Sequence, residues 1–191
     1  MHLFIYWNTY CTIKSVSGFL ILNNSFELKK IALLSDTHGY LDPKLNKYLH
    51  SVDEIWHAGD IGTIAIADEL EKLKPLKAVY GNIDGQDVRK VHPKHQRFFC
   101  EAVDVWMTHI GGYPGHYSPE VRQELESNPP KLFICGHSHI LKVMYDKKLN
   151  FLHMNPGACG IQGFHKMKTI LRFSIDKEKI SDLEVIELGI K

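Results

Sequence analysis

The 191-residue sequence has few of the features that mark secreted or membrane-spanning proteins. Its four cysteines are scattered, with neither a CxxC pair nor a dense framework, so they indicate neither a zinc cluster nor a disulfide-rich fold. No apolar run approaches the roughly 18 residues that a spanning helix needs. The N-terminus lacks a basic region, so we expect no secretory signal, no membrane association and a cytoplasmic location.

The sequence also lacks an excess of charge of one sign. The 23 Lys and Arg residues balance 22 Asp and Glu residues, for a net charge of +1, and no basic tail is present. We therefore expect no stable nucleic-acid partner. Histidine, by contrast, is unusually common at twelve residues. Several histidines lie beside glycine at the ends of apolar runs, a position typical of metal ligands.

The length suits one domain, since domains commonly contain roughly 100–200 residues. Residues 1–28 are aromatic-rich and precede what reads as a self-sufficient domain start at Lys29. We interpret them as an N-terminal extension and residues 29–191 as the domain. The sequence has no internal repeat, low-complexity segment or linker. It leaves the oligomeric state open, and a homo-oligomer is compatible with it.

The first half of the domain alternates strand and helix patterns, whereas the second half is rich in strands. Alternation of this kind indicates βαβ units with a parallel sheet, and the whole predicts an α/β fold of two packed sheets with helices outside. An Asn155-Pro156-Gly157 turn should separate two late strands. The predicted strands cover residues 31–34, 53–56, 76–80, 96–99, 103–108, 132–135, 140–145, 149–153, 169–175 and 185–188, and the helices begin near 42, 63 and 118.

Polar side chains with metal-binding atoms recur where five of these apolar runs end. Taken alone, Asp36 and His38 could form a surface turn, but the same pattern returns four more times. The carboxyl ends of parallel strands lie at one edge of a sheet, where α/β folds bind their ligands. The candidate set is Asp36, His38, Asp60, Asn82, His109, His137 and His139.

One tetrahedral metal needs about four ligands. Seven such side chains are more than that and would suit two metals that share a carboxylate. Mixed oxygen and nitrogen donors favour Mn, Fe, Zn, Co or Ni over Ca or Mg, and manganese is our first choice. Two divalent cations would outweigh the few carboxylates and leave a positive pocket for an anionic substrate such as a phosphate ester. Two metals about 3.5–4 Å apart can activate a bridging water for in-line attack on phosphorus.

The ordered set Asp-x-His, Gly-Asp, Gly-Asn, His and Gly-His-x-His resembles the calcineurin-like metallophosphoesterase superfamily. The short length, the Ser35-Asp36-Thr37-His38-Gly39 stretch and the Asn155-Pro156-Gly157 turn resemble its small bacterial and archaeal phosphodiesterase branch. The resemblance runs from about Lys29 to the C-terminus. It implies a four-layer αββα sandwich, with two mixed β-sheets face to face and helices outside.

The resemblance also implies a role for each candidate residue. Asp36, His38 and His139 would bind one metal ion, and Asn82, His109 and His137 would bind the other. Asp60 would bridge the two ions. Asp60, Asn82 and His109 would then also be the catalytic residues.

The sequence departs from the family pattern at two places. Many members carry a histidine, near the leaving oxygen, where this chain has Ile83, which cannot donate a proton. Asp84, which would orient that histidine, is expected to hydrogen-bond a ligand or the backbone instead. A histidine that often follows the one at position 109 is also missing. His116 could replace it, although a solvated loop histidine is the favoured interpretation.

Two functions follow from these observations. The first is a metal-dependent phosphodiesterase or phosphatase, a hydrolase acting on a small phosphoester. The alternative is a non-catalytic metal-binding scaffold of the same fold, since the superfamily includes a retromer subunit with an eroded site. All seven candidate ligands are intact, which favours the enzyme, and Ile83 is the only point for the scaffold. Cys135 suits the core, His57 suits either the core or a contact that supports a ligand, and histidines such as His153 and His165 show no spacing that links them to a partner.

Overall fold

The computed structural model describes residues 28–191. The N-terminal extension predicted for residues 1–28 therefore lies outside the described residues except for Leu28, and its boundary stays a prediction. Within the described range, every helix is too short or too polar to cross a membrane.

Strands dominate the described part of the chain. The strands are β1 (Lys29–Leu34), β2 (Glu54–His57), β3 (Leu76–Ala78), β4 (His95–Cys100), β5 (Val103–Thr108), β6 (Gly112–Tyr113), β7 (His116–Tyr117), β8 (Leu132–Ile134), β9 (Leu141–Asp146), β10 (Phe151–Pro156), β11 (Met167–Asp176) and β12 (Lys179–Ile190). The helices are α1 (Asn46–Leu49), which continues a 3-10 turn at Pro43–Leu45, α2 (Ile64–Leu73), α3 (Gln86–Val91) and α4 (Pro119–Ser127).

The strands form two mixed five-stranded sheets and one short hairpin. The first sheet has the order β12-β11-β1-β2-β3, and the second has the order β4-β5-β8-β10-β9. β1, β2 and β3 run parallel to one another, as do β5, β8 and β10. In the first sheet, β11 pairs antiparallel with β1 and with β12, whereas in the second sheet the two edge strands, β4 and β9, pair antiparallel with their neighbours. Among the described strands, β6 pairs with β7 alone.

Alternating side chains of the central strands divide the interior into separate layers. Ile31 and Leu33 of β1 join an apolar cluster shared by the two sheets, whereas Ala32 and Leu34 join a cluster with the helices that follow β1, β2 and β3. All four side chains are fully buried, as the unbroken apolar run predicts. Burial of each large aliphatic side chain stabilises the fold by roughly 1.5–3 kcal/mol.

The second sheet has the same division. Leu132 and Ile134 of β8 face the first sheet, whereas Phe133 and Cys135 face a third cluster that includes Val121 of α4. Cys135 is fully buried, which confirms its predicted place in the core. The three clusters therefore separate four layers, helix, sheet, sheet and helix. The predicted α/β sandwich of two mixed sheets with helices outside is confirmed.

Local sequence signals explain where the first helical segment begins. Asp42 has an extended backbone, and its carboxylate accepts a hydrogen bond from the Lys44 amide at 2.9 Å. Pro43 follows as the first helical residue, where its missing N–H costs nothing. A buried ion pair joins Asp42 to Lys168 at 2.6 Å and ties this start to β11. The predicted helix start near residue 42 is thus confirmed.

Three local features differ from the sequence prediction. α3 was not predicted, because it is short and buries only Val88. The β6–β7 hairpin is not among the predicted strands, since strands of two residues carry no periodic pattern. The expected turn at Asn155-Pro156-Gly157 is also wrong for its first two residues, which are the last pairs of β10 with β9. The chain turns only from Gly157, which has a φ of 76°.

Candidate metal centre

The ends of the parallel strands carry the candidate ligands to one edge of the molecule. Asp36, Asp60 and Asn82 follow β1, β2 and β3 in the first sheet. His109 and His137 follow β5 and β8 in the second sheet. The His137 amide donates to Asp36 Oδ2 at 3.2 Å and so joins the two sheet edges. The ligand-bearing ends predicted from the sequence therefore meet in space.

Asp36, His38 and His139 form the first group of metal-ligating atoms. Their ligand atoms lie within 4.8 Å of one another. His139 Nε2 lies 3.2 Å from Asp36 Oδ1 and 3.3 Å from His38 Nε2. The three side chains therefore converge on one point.

The two carboxylate oxygens of Asp36 have different environments. Oδ2 accepts hydrogen bonds from Ser35 Oγ at 2.6 Å and from the His137 amide. Oδ1 is buried and has no hydrogen-bond partner among residues 28–191. A buried carboxylate oxygen without a partner is costly, and a cation at this position would satisfy it. The donor set and the unpartnered oxygen both fit a divalent metal ion.

Asp60, His109 and His137 form the second group, and their ligand atoms also lie within 4.8 Å of one another. Asn82 joins this group, since its Oδ1 lies 3.2 Å from His109 Nε2. His109 Nδ1 donates to the carbonyl oxygen of Ala58 at 2.8 Å. Since a carbonyl only accepts, the neutral imidazole keeps its lone pair on Nε2, the nitrogen that faces the other members.

Asp60 lies between the two groups. Its Oδ1 is 3.2 Å from His109 Nε2, and its Oδ2 is 3.7 Å from His38 Nε2. The Ile83 amide also donates to Oδ1 at 3.1 Å, which fixes the carboxylate. One carboxylate with an oxygen toward each group has an arrangement that would allow it to bridge two cations.

The backbone at the site is held in an unfavourable conformation. Among residues 28–191, nine non-glycine residues have a positive φ, and five of them are candidate ligands: Asp36, His38, Asp60, His137 and His139. This left-handed region is uncommon for residues other than glycine, although Asn, Asp and His adopt it more readily than the other types. Such strain persists where the surrounding structure enforces it, and it concentrates at functional sites.

Close packing explains the glycine in three of the motifs. Gly59, Gly81 and Gly136 each precede a candidate ligand. A Cβ at Gly59 would overlap the His109 ring, and one at Gly81 would overlap the Asp60 carboxylate. At Gly136 it would overlap Ser35 Oγ. The loops can approach closely enough to bring their ligands together only because these side chains are absent.

The charges in the second group stabilise one another. Burial opposes the ionisation of Asp60, but when His109 is protonated on both ring nitrogens its hydrogen bond to Asp60 and the nearby charges outweigh burial and lower the pKa of Asp60. Burial likewise acts against a charged His109, yet the carboxylates of Asp60 and Asp36 raise its pKa. For His137, burial and the nearby His109 lower the pKa.

Two buried residues hold the loops that carry the ligands. Asp84 accepts hydrogen bonds from the amides of Ile61, Gly62 and Gly81, so it binds the backbone, one of its two expected roles. His57 accepts from the Gly59 amide at 3.2 Å and lies 3.0 Å from Thr37 Oγ1. Burial lowers the pKa of His57 to about 4, so this core histidine is neutral near pH 7.

The sequence analysis did not predict the contacts that two further residues, His165 and Asn155, make at the site. His165 Nδ1 lies 3.1 Å from His139 Nδ1, yet no sequence spacing links these residues. Asn155, predicted to be in a turn, donates to the carbonyl of Gly136 at 2.8 Å and supports the His137 loop. His116 is exposed, as its favoured interpretation holds, and its ring lies beside Tyr113.

All seven residues proposed from the sequence thus lie together at one edge of the two sheets. Six of them form the two groups of His and Asp ligand atoms, and Asn82 lies against the second group. The assignment of each residue as a ligand stays a prediction. The grouping agrees with the pattern that the resemblance implies.

Comparison with known proteins agrees with the family resemblance of the sequence motifs. The family model described as the calcineurin-like phosphoesterase superfamily domain matches residues 30–178. A protein of Mycoplasma pneumoniae named probable metallophosphoesterase is 30% identical over 169 residues, which cover 82% of this chain and 96% of that protein.

Two solved structures have a similar fold. One is described as a novel archaeal phosphodiesterase, with 24% identity and a TM-score of 0.59 over 83% of this chain and 99% of that one. The other is a single mutant of Vps29 from Entamoeba histolytica, with 12% identity and a TM-score of 0.66 over 84% of this chain and 99% of that one. At these identities, the likeness concerns the fold.

Proposed function

Because the chain belongs to the calcineurin-like phosphoesterase superfamily, we propose that it is a metal-dependent phosphodiesterase with two divalent metal ions. The observation that carries this proposal is the pair of ligand groups with the Asp60 carboxylate between them. The family and the name of its Mycoplasma relative indicate a metallophosphoesterase. The two-metal centre and the preference for diesters are what we propose in addition.

The proposed metal centre divides the ligands between two ions. Asp36, His38 and His139 would hold one ion, Asn82, His109 and His137 would hold the other, and Asp60 would contact both. The mixed nitrogen and oxygen donors suit Mn first, and also Fe, Zn, Co or Ni. When bound, the ions would supply an activated water and neutralise charge on the phosphoryl group.

The protein's own groups prepare this site. Ser35 and the His137 amide fix the Asp36 carboxylate so that its second oxygen remains free for a cation. The Ala58 carbonyl orients the His109 ring so that its Nε2 faces Asn82 and Asp60. With two divalent cations, four positive charges would face the two carboxylates of Asp36 and Asp60. The resulting net positive charge would favour a small anionic phosphoester.

Two clefts beside the ligands support a diester rather than a monoester. A cleft of about 220 Å³ lies on the side of Asn82 and His109 and is also lined by Tyr80. A second cleft of about 390 Å³ lies on the side of His137 and is also lined by Tyr113. A phosphodiester has two substituents, and one could enter each cleft. A monoester would leave one cleft without a substituent.

The loop after Asn82 predicts which leaving groups react well. Ile83 has no titratable group and is 46% exposed, so the position that carries a histidine in many relatives has no proton donor here. Esters with good leaving groups need little protonation as the bond breaks. We therefore expect aryl phosphodiesters to be cleaved much faster than alkyl phosphodiesters. Equal rates would mean that another residue donates the proton, with His116 the first to test.

The test compares a bis-aryl phosphodiester with the corresponding aryl monoester, using the full chain loaded with Mn²⁺. We expect a higher kcat/KM on the diester, and expect Asp60→Asn to lower it by at least the about 10–100-fold that loss of a residue supporting a metal ligand typically costs. Asp87→Asn is the matched control, because Asp87 is an exposed carboxylate in the first turn of α3. A preference for the monoester would contradict the diesterase. Metal binding without hydrolysis of either ester would favour the scaffold alternative.

A further inference from the structure

His165 contacts the candidate ligand His139 from the side opposite the proposed metal position. It lies in the loop between β10 and β11, and its Nδ1 is 3.1 Å from His139 Nδ1. Its other ring nitrogen, Nε2, lies 3.0 Å from the carbonyl oxygen of Gly160. The opposite nitrogen of His139, Nε2, faces Asp36 Oδ1 and His38 Nε2 at 3.2 and 3.3 Å.

The hydrogen-bonding capacity of each atom assigns the protons in this chain. A carbonyl oxygen can only accept, so His165 Nε2 must carry the proton that it donates to Gly160. A neutral imidazole has one N–H, which leaves His165 Nδ1 as an acceptor. His139 Nδ1 must therefore carry a proton and donate it to His165. The lone pair of His139 is then on Nε2, the nitrogen that faces Asp36 and His38.

We propose that His165 is a positioning residue that sets the tautomer and the ring orientation of His139 for metal binding. The inference rests on the proposed function, because it concerns a ligand of the proposed metal centre. A ligating histidine commonly donates its second N–H to an acceptor that fixes its tautomer, and loss of that acceptor typically costs about 10–100-fold in metal affinity. Here a second histidine is the acceptor, and a backbone carbonyl fixes its tautomer in turn.

The loop that carries His165 is attached to the same site. The Gly160 amide donates to the carbonyl oxygen of Asp36 at 3.1 Å, so the residue that orients His165 is itself fixed to a candidate ligand. Gly163 has a φ of 103°, and a Cβ there would overlap the His139 ring. The loop therefore packs directly against His139. The contacts run in a closed path from Asp36 through Gly160, His165 and His139 back to Asp36.

Two substitutions separate hydrogen bonding from simple filling of space. In His165→Gln, the side-chain oxygen can accept from His139 and the side-chain NH₂ can donate to Gly160. In His165→Leu, a side chain of similar bulk can do neither. His50→Leu serves as the control, because His50 is an exposed histidine that follows α1.

The first measurement reads the tautomer in the metal-free protein by long-range proton–nitrogen NMR correlation. We expect His139 to carry its proton on Nδ1 in the parent, in His165→Gln and in His50→Leu. In His165→Leu we expect a mixture that includes the Nε2–H form. A parent whose His139 is protonated on Nε2 would overturn the proposal, whether or not the protein binds metal.

The second measurement is the affinity for each of two Mn²⁺ ions, determined by competition with a chelator. We expect His165→Leu to weaken one ion by about 10–100-fold and to affect the other much less. His165→Gln should retain affinity within a few-fold of the parent. Equal affinity in the parent and in His165→Leu would overturn the proposal, as would a Gln variant as weak as the Leu variant. A parent that binds no metal would instead contradict the proposed function, and the NMR result would still stand.

Discussion

Removal of the Asp84 carboxylate should destabilise the loops that carry the ligands. Asp84 is buried, with 3% of its surface exposed. Its Oδ1 accepts from the Gly62 amide at 2.7 Å, and its Oδ2 accepts from the Gly81 amide at 2.7 Å and the Ile61 amide at 3.2 Å. One carboxylate thereby joins the loop after β2 to the loop after β3. Asp84→Ala leaves all three N–H groups without this acceptor.

The size of the effect follows from these three contacts. A hydrogen bond to a charged group contributes about 1.5–3 kcal/mol, so three contacts sum to roughly 5–9 kcal/mol. Burial of the carboxylate costs part of this, and water entering the space left by Ala would satisfy some of the amides. A net loss of about 2–4 kcal/mol is therefore expected in Asp84→Ala. For a chain of this length, a loss of 3 kcal/mol corresponds to a decrease in Tm of roughly 6–12 °C.

The assay is equilibrium unfolding in urea, together with thermal unfolding, for the metal-free protein. Asp84→Asn is the second variant: its carbonyl oxygen can still accept from the two amides that share Oδ2, but its NH₂ group would face the Gly62 N–H, so that two donors meet, and this variant should also be less stable than the parent. Asp87→Asn should unfold as the parent does, since Asp87 is exposed. An Asp84→Ala variant within about 0.5 kcal/mol of the parent would refute the reasoning, because the amides would then have other partners.

Three further predictions concern the proposed bridging ligand, the loop after Asn82 and two buried histidines. Elemental analysis should show that Asp60→Asn has lost most metal at one or both sites, because a neutral amide cannot link two cations. Two ions per chain with full activity would contradict the bridging role of Asp60. With metal content matched, Ile83→His should raise kcat/KM by roughly tenfold or less, and the increase should be larger for an alkyl than for an aryl diester. If the alkyl diester gains no more than the aryl diester, this side chain does not face the leaving group. Burial lowers the pKa of His57 and of His153 from 6.5 to about 4, so the unfolded state binds more protons between these values. Stability should therefore hold above pH 6.5 and decrease toward pH 4 by about 3 kcal/mol for each histidine, and urea midpoints that do not change over this interval would contradict the assignment.

The sequence predicted most of the architecture because its central strands carry strong local signals. The unbroken apolar run Ile31–Leu34 marks a strand covered on both faces, and it is fully buried. Since parallel strands end at one edge, polar residues after successive strands could be placed together without knowledge of the packing. The positions of Asp36, Asp60 and Asn82 followed from this rule.

The remaining features depend on contacts that the local sequence does not encode. The helix α3 buries a single side chain, so it produces no apolar periodicity. The role of His165 depends on a loop that folds back onto His139 from 26 residues further along the chain. Asn155 lies in a turn-like sequence but pairs with Lys142 at the end of β10, and its side chain donates to the loop of His137. These contacts form only in the folded chain, so the local sequence around each residue does not predict them.

The most direct test of the central claim is an anomalous-scattering map of the crystalline protein loaded with Mn²⁺. The account predicts two peaks about 3.5–4 Å apart. One peak should lie among Asp36, His38 and His139, and the other among Asn82, His109 and His137, with a carboxylate oxygen of Asp60 next to each. A single peak, or two peaks away from Asp60, would contradict the two-metal centre.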